Sequence, residues 1–251
     1  SGGWPLNVWL TPDLKPFYGG TYFPPAPRYG RPGFTDVLER IAEVYRTDRA
    51  TVDGQAGKLT DHLSQGHLGE PGEPLSLARL DDAAAQVIDH FDPVNGGLGG
   101  APKFPMAEVF EFLWRAYCRR GDAKYSSMVT LTLDRICQGG LYDHLGGGFA
   151  RYSTDEKWLA PHFEKMLYDN AQLINVLALV WLDTKSDLYR TRAQQTVAWL
   201  QREMMGENGA FAATLDADSE GEEGTFYVWS ETDIDAVLGT EATLFKNIYD
   251  V

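Results

Sequence analysis

Apolar residues recur at helical spacing along most of this chain, and the longest such stripe follows a glycine-rich loop. Phe163, Met166, Leu167, Ile174, Leu177, Ala178 and Trp181 fall on one side of a helix that the spacing predicts from Pro161 to about Leu182. Proline suits a first helical turn, where its missing N–H would have had no partner. Winding at about 100° per residue sets His162, Lys165, Asp169 and Gln172 on the opposite side, with Glu164 and Asn175 at its edge. The polar side therefore starts beside a loop that carries Asp143, His144, Asp155 and Glu156. Glycines 139, 140, 146, 147 and 148 lie in that loop and Gly121 a little before it, allowing close backbone approach.

The rest of the chain is read from the same patterns. Leu6 to Leu10 and Pro16 to Phe23 are short aromatic and aliphatic runs joined by Thr11-Pro12-Asp13-Leu14-Lys15, which predicts a β-hairpin. Trp4-Pro5, just before it, is a candidate cis peptide. From Gly33 the period turns helical: Thr35 is the expected cap, with Val37, Leu38, Ile41, Val44 and Tyr45 on one side. A second helix reaches about Leu63, weakened by Gly54 and Gly57. Residues 64–76, with three glycines and two prolines, read as a linker between residues 1–63 and 77–251. Beyond it, helices are predicted through Leu77–Phe91, Val109–Tyr117, Asp122–Cys137 and Tyr189–Met204. Gly209 to Trp229 suggests a hairpin with an acidic turn, and Ser230 with Asp233 forms a capping box for a last helical region. Glycine-rich loops ending in an aromatic residue, near Gly97, Gly147 and Gly209, each follow an amphipathic helix. Units of this kind, recurring at roughly 40–60 residues, predict stacked α-hairpins.

Composition narrows the function classes. The 251 residues are 43% hydrophobic and 23% charged, as in an ordinary globular protein. A net charge of −14 disfavours nucleic acid and acidic lipid as partners, since both need a basic field. No apolar run approaches the roughly 18–20 residues that cross a membrane. The two cysteines, Cys118 and Cys137, fall in predicted helices, where free buried thiols and a reducing, cytoplasmic compartment are expected.

Candidate chemistry gathers around the central loop. His144 and His162 flank it, and two imidazoles facing one pocket can deliver a proton to one face of a carbon and remove one from the other, as an epimerase does. Asp155 and Asp169 are the expected orienting carboxylates, and Lys165 is placed to hold an anionic or carbonyl group. Asp143, Tyr152, Trp158 and Glu164 complete a predicted substrate-binding set, with the aromatic rings as platforms for a sugar. The carboxylates also offer pairs of the kind glycoside hydrolysis uses. Asp216-Ala-Asp218-Ser-Glu220-Gly221 opens like a calcium loop, but Tyr227 stands where an EF-hand needs Glu, so that motif is rejected. At most a single loosely bound cation is expected there. No spacing of His or Cys suggests zinc, and no cofactor is expected.

GGWPLNVWLTPDLKPFYGGTYFPP, GAPKFP, GGGFARYSTDEKWLAPHFEKMLYDNAQL and DADSEGEEGTFYVW together resemble the spermatogenesis-associated protein family, which fuses a thioredoxin-like domain to an α/α-toroid. The resemblance implies a mainly α fold. It would be a partial, six-hairpin-glycosidase-like toroid similar to N-acylglucosamine epimerases, preceded by the C-terminal β-hairpin and helix of a thioredoxin-like domain. It also implies that Trp4-Pro5 is the thioredoxin cis-proline position, and that the family's Cys-x-x-Cys segment precedes the stretch present here. Two expectations follow: a carbohydrate-type pocket with isomerase- or epimerase-like acid–base chemistry, or a thiol-redox or folding-assistance protein with the toroid as its binding module.

Overall fold

The computed structural model describes residues 6–28, 30–67, 74 and 76–249. The chain divides into two compact units, residues 1–74 and 75–251.

In the first unit the expected hairpin forms. Strands β1 (Asn7–Leu10) and β2 (Pro16–Gly20) pair antiparallel, with a bulge after Trp9. Thr11 closes the turn, its hydroxyl accepting from Lys15 N and donating to Asp13. Helices α1 (Phe34–Thr47) and α2 (Arg49–His67) follow. The cap of α1 is Gly33, not Thr35: the Asp36 carboxylate accepts from Gly33 N at 3.1 Å, closing the first turn from inside the helix. Helix α2 continues through Gly54 and Gly57 into the start of the expected linker. Trp4-Pro5 lies outside the described residues.

The second unit is mainly α: α3 (Leu77–Ile88), α4 (Ala107–Arg120), α5 (Ala123–Gln138), α6 (Leu167–Thr184) and α7 (Asp187–Trp199), with a π turn at Leu200–Met204. Helices α4 and α5 form one antiparallel hairpin and α6 and α7 the next; α4 packs on α6 and α5 on α7, giving two layers of a partial α/α toroid. Between the layers lies a core containing Phe110, Leu113, Val129, Leu133, Ile136, Leu173, Leu177 and Val180. Two short helices end the chain: α8 (Glu231–Leu238), with the Ser230–Asp233 capping box formed as expected, and α9 (Ala242–Tyr249).

One loop design is built twice. After α3, Asp92 accepts from the backbone N–H groups of Val94 and Asn95, and after α5, Asp143 accepts from those of Leu145 and Gly146. Each loop is then stapled by a buried lysine. Lys103 Nζ donates to Asp92 at 2.7 Å and to Gly96 O at 2.8 Å; Lys165 Nζ donates to Asp143 at 2.8 Å and to Gly147 O at 2.9 Å. The glycine after each of those carbonyls has left-handed backbone (φ +78° at Gly97, +82° at Gly148), and an indole covers it, so a Cβ would stand 2.5 Å from Trp158 or 2.6 Å from Trp199. Each lysine-bearing segment also pairs with the stretch that follows the next loop. Lys103 bridges Ser153, which lies in β3 (Tyr152–Ser153), and β5 (Lys165–Met166) pairs with β6 (Thr214–Leu215). The third loop keeps the turn, Met205 bridging Phe211, but has Gly206 in place of the aspartate.

This pairing corrects the central expectation. Pro161 to Met166 is extended, in β4 (Pro161–His162), which pairs with β3, and in β5; the helix begins only at Leu167. Arg151 N bonds to Glu164 O and Leu167 N to Ala213 O, so the backbone of the segment is taken up by neighbouring strands. The buried face of α6 is accordingly Asn170, Leu173, Val176, Leu177 and Val180, while Ala178 of the expected stripe is exposed. Of the expected hairpin at 209–229, β7 (Asp218–Ser219) and β8 (Glu222–Glu223) form only a short tip, and β6 pairs back to β5. Cys137 is buried, but Cys118 is exposed.

Candidate functional site

Because β4 and β5 are extended, successive side chains alternate across the ribbon. Lys165 turns into the core and Glu164 turns out, and His162 lies near Glu164. Glu164 accepts from Arg151 Nη1 at 2.7 Å and from the Thr214 hydroxyl at 3.3 Å. His162 stacks on Tyr152 with ring centroids 4.8 Å apart, and Tyr152 in turn lies 4.7 Å from Phe104. The acidic tip of the 209–229 segment reaches the same place: Glu223 holds His162 Nδ1 at 2.6 Å. A carboxylate only accepts, so Nδ1 carries a proton, while Nε2 makes no hydrogen bond among the described residues. Nε2 is 3.7 Å from Glu164 Oε2, beyond a direct hydrogen bond. Carboxylate, imidazole and a free ring nitrogen in this order are the arrangement of an oriented general base.

Asp169, in the first turn of α6, completes the cluster. Burial pushes its carboxyl up to about 6; Arg151 pulls the other way, and Glu108 and Glu164 add to the rise. Its Oδ2 is buried without a hydrogen-bond partner among the described residues. A half-buried acid that titrates near 6 and keeps one unused oxygen is suited to carry a proton.

The other expected site residues fall elsewhere. Asp155 is a turn cap, accepting from the backbone N–H groups of Lys157, Leu159 and Ala160, so its carboxylate is spent on local structure. Trp158 is fully buried, its indole N–H donating to Asn95 O, and it covers Gly97. His144 has both ring nitrogens engaged, one with Gly139 O at 2.9 Å and one with Arg192 Nη2 at 3.1 Å. It lines two cavities and His162 lines neither, so the structure does not bring the two histidines onto one substrate carbon. Asp143 and Lys165 form the buried staple; both line the smaller of the cavities that His144 lines and also a further one. Tyr152 and Glu164 do join His162 and Asp169. Sequence reading missed Arg151, Phe104 and Glu108, and it read Glu223 only as part of the acidic stretch from Asp216, not as a partner of His162. The motif containing Arg151 and Tyr152 was visible, but Glu223 arrives from 61 residues away and nothing local announces it. Among the described residues no group of three or more His, Cys, Asp or Glu side chains is placed to hold a metal ion, including the acidic stretch from Asp216. No helix among them is long and apolar enough to cross a membrane.

Comparison with known proteins adds family relationships. Residues 1–64 match the thioredoxin-like family Thioredox_DsbH, described as a protein of unknown function, DUF255. Spermatogenesis-associated protein 20 of mouse and of human are each 38% identical across 94% of this chain, which covers 32% of their length. Uncharacterized protein B0495.5 of Caenorhabditis elegans is 32% identical across the whole chain, which covers 36% of it. Among solved structures, the cellobiose 2-epimerase of Bacillus thermoamylovorans has a TM-score of 0.48 at 15% identity, over 69% of this chain and 54% of that one. A family 76 glycoside hydrolase from a bovine Bacteroides thetaiotaomicron strain has a TM-score of 0.48 at 16% identity, over 68% and 41%. The sugars those enzymes act on are properties of those enzymes. This chain spans about a third of the length of the curated relatives it matches, and over nearly all of its own length it is similar to spermatogenesis-associated protein 20.

Proposed function

We propose that the loop end of the helical unit is an acid–base site for a small polyhydroxy carbonyl compound, with isomerase- or epimerase-like chemistry. One observation carries this reading: His162, fixed through Nδ1 by Glu223 with Nε2 unbonded, stands in one cluster with the Arg151–Glu164 pair and an Asp169 carboxyl that titrates near 6. His162 Nε2 takes a proton from the carbon next to the carbonyl, Asp169 returns one to oxygen or carbon, and Arg151 offers charge to the oxygen that becomes negative. Tyr152 and Phe104 provide the apolar face on which a sugar ring rests.

The test is isotope exchange. In D2O, the chain incubated with a panel of aldoses and ketoses takes up deuterium at the carbon beside the carbonyl, read by proton NMR. His162→Gln and Asp169→Asn each slow the exchange by about 100-fold or more. Glu223→Gln slows it by about tenfold, since it only orients the ring. Exchange that survives in His162→Gln, or that never occurs across the panel, removes the proposal.

The match of residues 1–64 supports a second reading: a thiol-redox or folding-assistance protein that uses the helical unit as a binding module. The cysteines of this chain are in the helical unit, and burial pushes the Cys137 thiol well above its ordinary range, so a thiolate there is disfavoured. Reduction of a disulfide substrate by this chain, undiminished when Cys118 is replaced by serine, would count against thiol chemistry at that position.

A further inference from the structure

The two lysine staples are alike except in one bond. Lys103 uses all three ammonium donors, the third on Glu156 O at 3.0 Å, and it is completely enclosed. Lys165, 3% exposed, makes two hydrogen bonds among the described residues, to Asp143 and Gly147 O, and its ammonium also lies over the Trp199 and Tyr227 rings. It borders a cavity of about 320 Å³ and a smaller one of about 180 Å³, and the larger has room for a ligand. A buried ammonium with two hydrogen bonds has capacity for a third, and an acceptor there is worth more than at the surface.

The other walls select the acceptor. Of the charged groups around the cavity, Asp143 is paired with Lys165 and Arg202 with Glu203, and Arg202 also donates to Gly146 O. Asp216 and Asp218 have no cationic partner among the described residues. That surplus of negative charge opposes an anion, while the ammonium opposes a cation. What fits is an uncharged molecule that accepts from Lys165 and donates hydroxyls to Asp216, Asp218 and Ser219. Trp199, Phe226 and Tyr227 supply apolar walls, with Tyr227 and Trp199 rings 4.9 and 5.0 Å from Lys165 Nζ. The volume lies at the small end of ligand pockets, about 300–1,000 Å³.

We propose that this cavity is a binding site for a neutral ring polyol, separate from the His162–Asp169 cluster. Strand alternation puts the two on opposite sides of β5, so the inference stands whether or not the acid–base reading does.

The probe is myo-inositol, which has the hydroxyls and no carbonyl to react. Titration calorimetry on the whole chain shows saturable binding below about 50 mM, and gluconate binds more weakly because of its charge. Asp218→Asn and Asp216→Asn, both exposed rim positions that leave the staple intact, each weaken inositol about tenfold, as expected for a hydrogen bond to a charged group. Asp169→Asn leaves the affinity unchanged. Absence of saturable binding overturns the proposal. So does equal affinity in the rim variants, a preference for gluconate, or loss of binding in Asp169→Asn, which would place the ligand in the other cluster.

Discussion

Asp169 shows most plainly how one residue trades stability for chemistry. Its carboxyl is raised from 3.8 to about 6, so the folded state binds the proton more tightly than the unfolded chain does. The group therefore costs nothing below about pH 4; its penalty grows as the pH rises through 6 and is complete at 7. At about 1.4 kcal/mol per unit, the ceiling is about 3 kcal/mol. Asp169→Asn is expected to raise stability at pH 7 by about 1–3 kcal/mol in urea denaturation, with little gain at pH 4, while removing the exchange activity. A destabilised variant would mean that the carboxylate makes a bond the structure does not show. Trp158 illustrates the opposite case. It holds a left-handed backbone (φ +66°) although it is not glycine, and the strain persists because its ring is locked under Gly97 and its N–H on Asn95. Trp158→Ala should cost about 3–5 kcal/mol by thermal or chemical denaturation, with no direct effect on the His162 cluster.

At the level of the element, the repeated loop is the unit of construction. Each copy joins an aspartate that caps its own loop, a lysine that ties the aspartate to a glycine carbonyl, and an indole that lies on the next glycine. Gly148→Ala brings a Cβ within 2.6 Å of the Trp199 ring at a left-handed position, whereas Gly209, also left-handed, has open space around it. Both substitutions pay the backbone strain of about 1 kcal/mol. Gly148→Ala adds overpacking of about 1–3 kcal/mol, so its midpoint in urea should fall well below that of Gly209→Ala. Lys103→Met leaves Asp92 part-buried without its cation and should destabilise by about 3–5 kcal/mol. The double change Lys103→Met with Asp92→Asn should recover part of that loss, as a double-mutant cycle would show.

For the molecule as a whole, the staples set the acid limit. Burial works to raise the Asp92 and Asp143 carboxyls, but hydrogen bonds from loop N–H groups and the lysine partners outweigh it, and both end below the ordinary range. Such groups contribute stability that is present above about pH 4 and is lost as the pH falls through their folded values. Asp169 acts with the opposite sign over about pH 4–6. These groups together should make the helical unit most stable at about pH 4–5, where the staples are formed and the Asp169 penalty has barely begun, with stability falling as the pH rises toward about 6 and falling steeply in acid. The acid midpoint, followed by circular dichroism, should move to higher pH in Asp143→Asn. Much of the architecture was legible beforehand. The cap at Ser230, the glycine loops and the 3.6-residue period are local signals, and they gave the helices and their hairpin order. Pro161 misled because a proline that suits a first helical turn suits the start of a strand equally well. What only the tertiary structure decided is which strand pairs with residues 161–166. Pro161–His162 pair with nearby β3, but the partner of Lys165–Met166, at Thr214–Leu215, comes from about 50 residues on, and the two pairings together put Glu164 outward beside His162 while burying Lys165. Local sequence determines which elements form because caps and period act within a turn or two. Side-chain placement in a two-residue strand depends on register, and register is a property of contacts between distant segments.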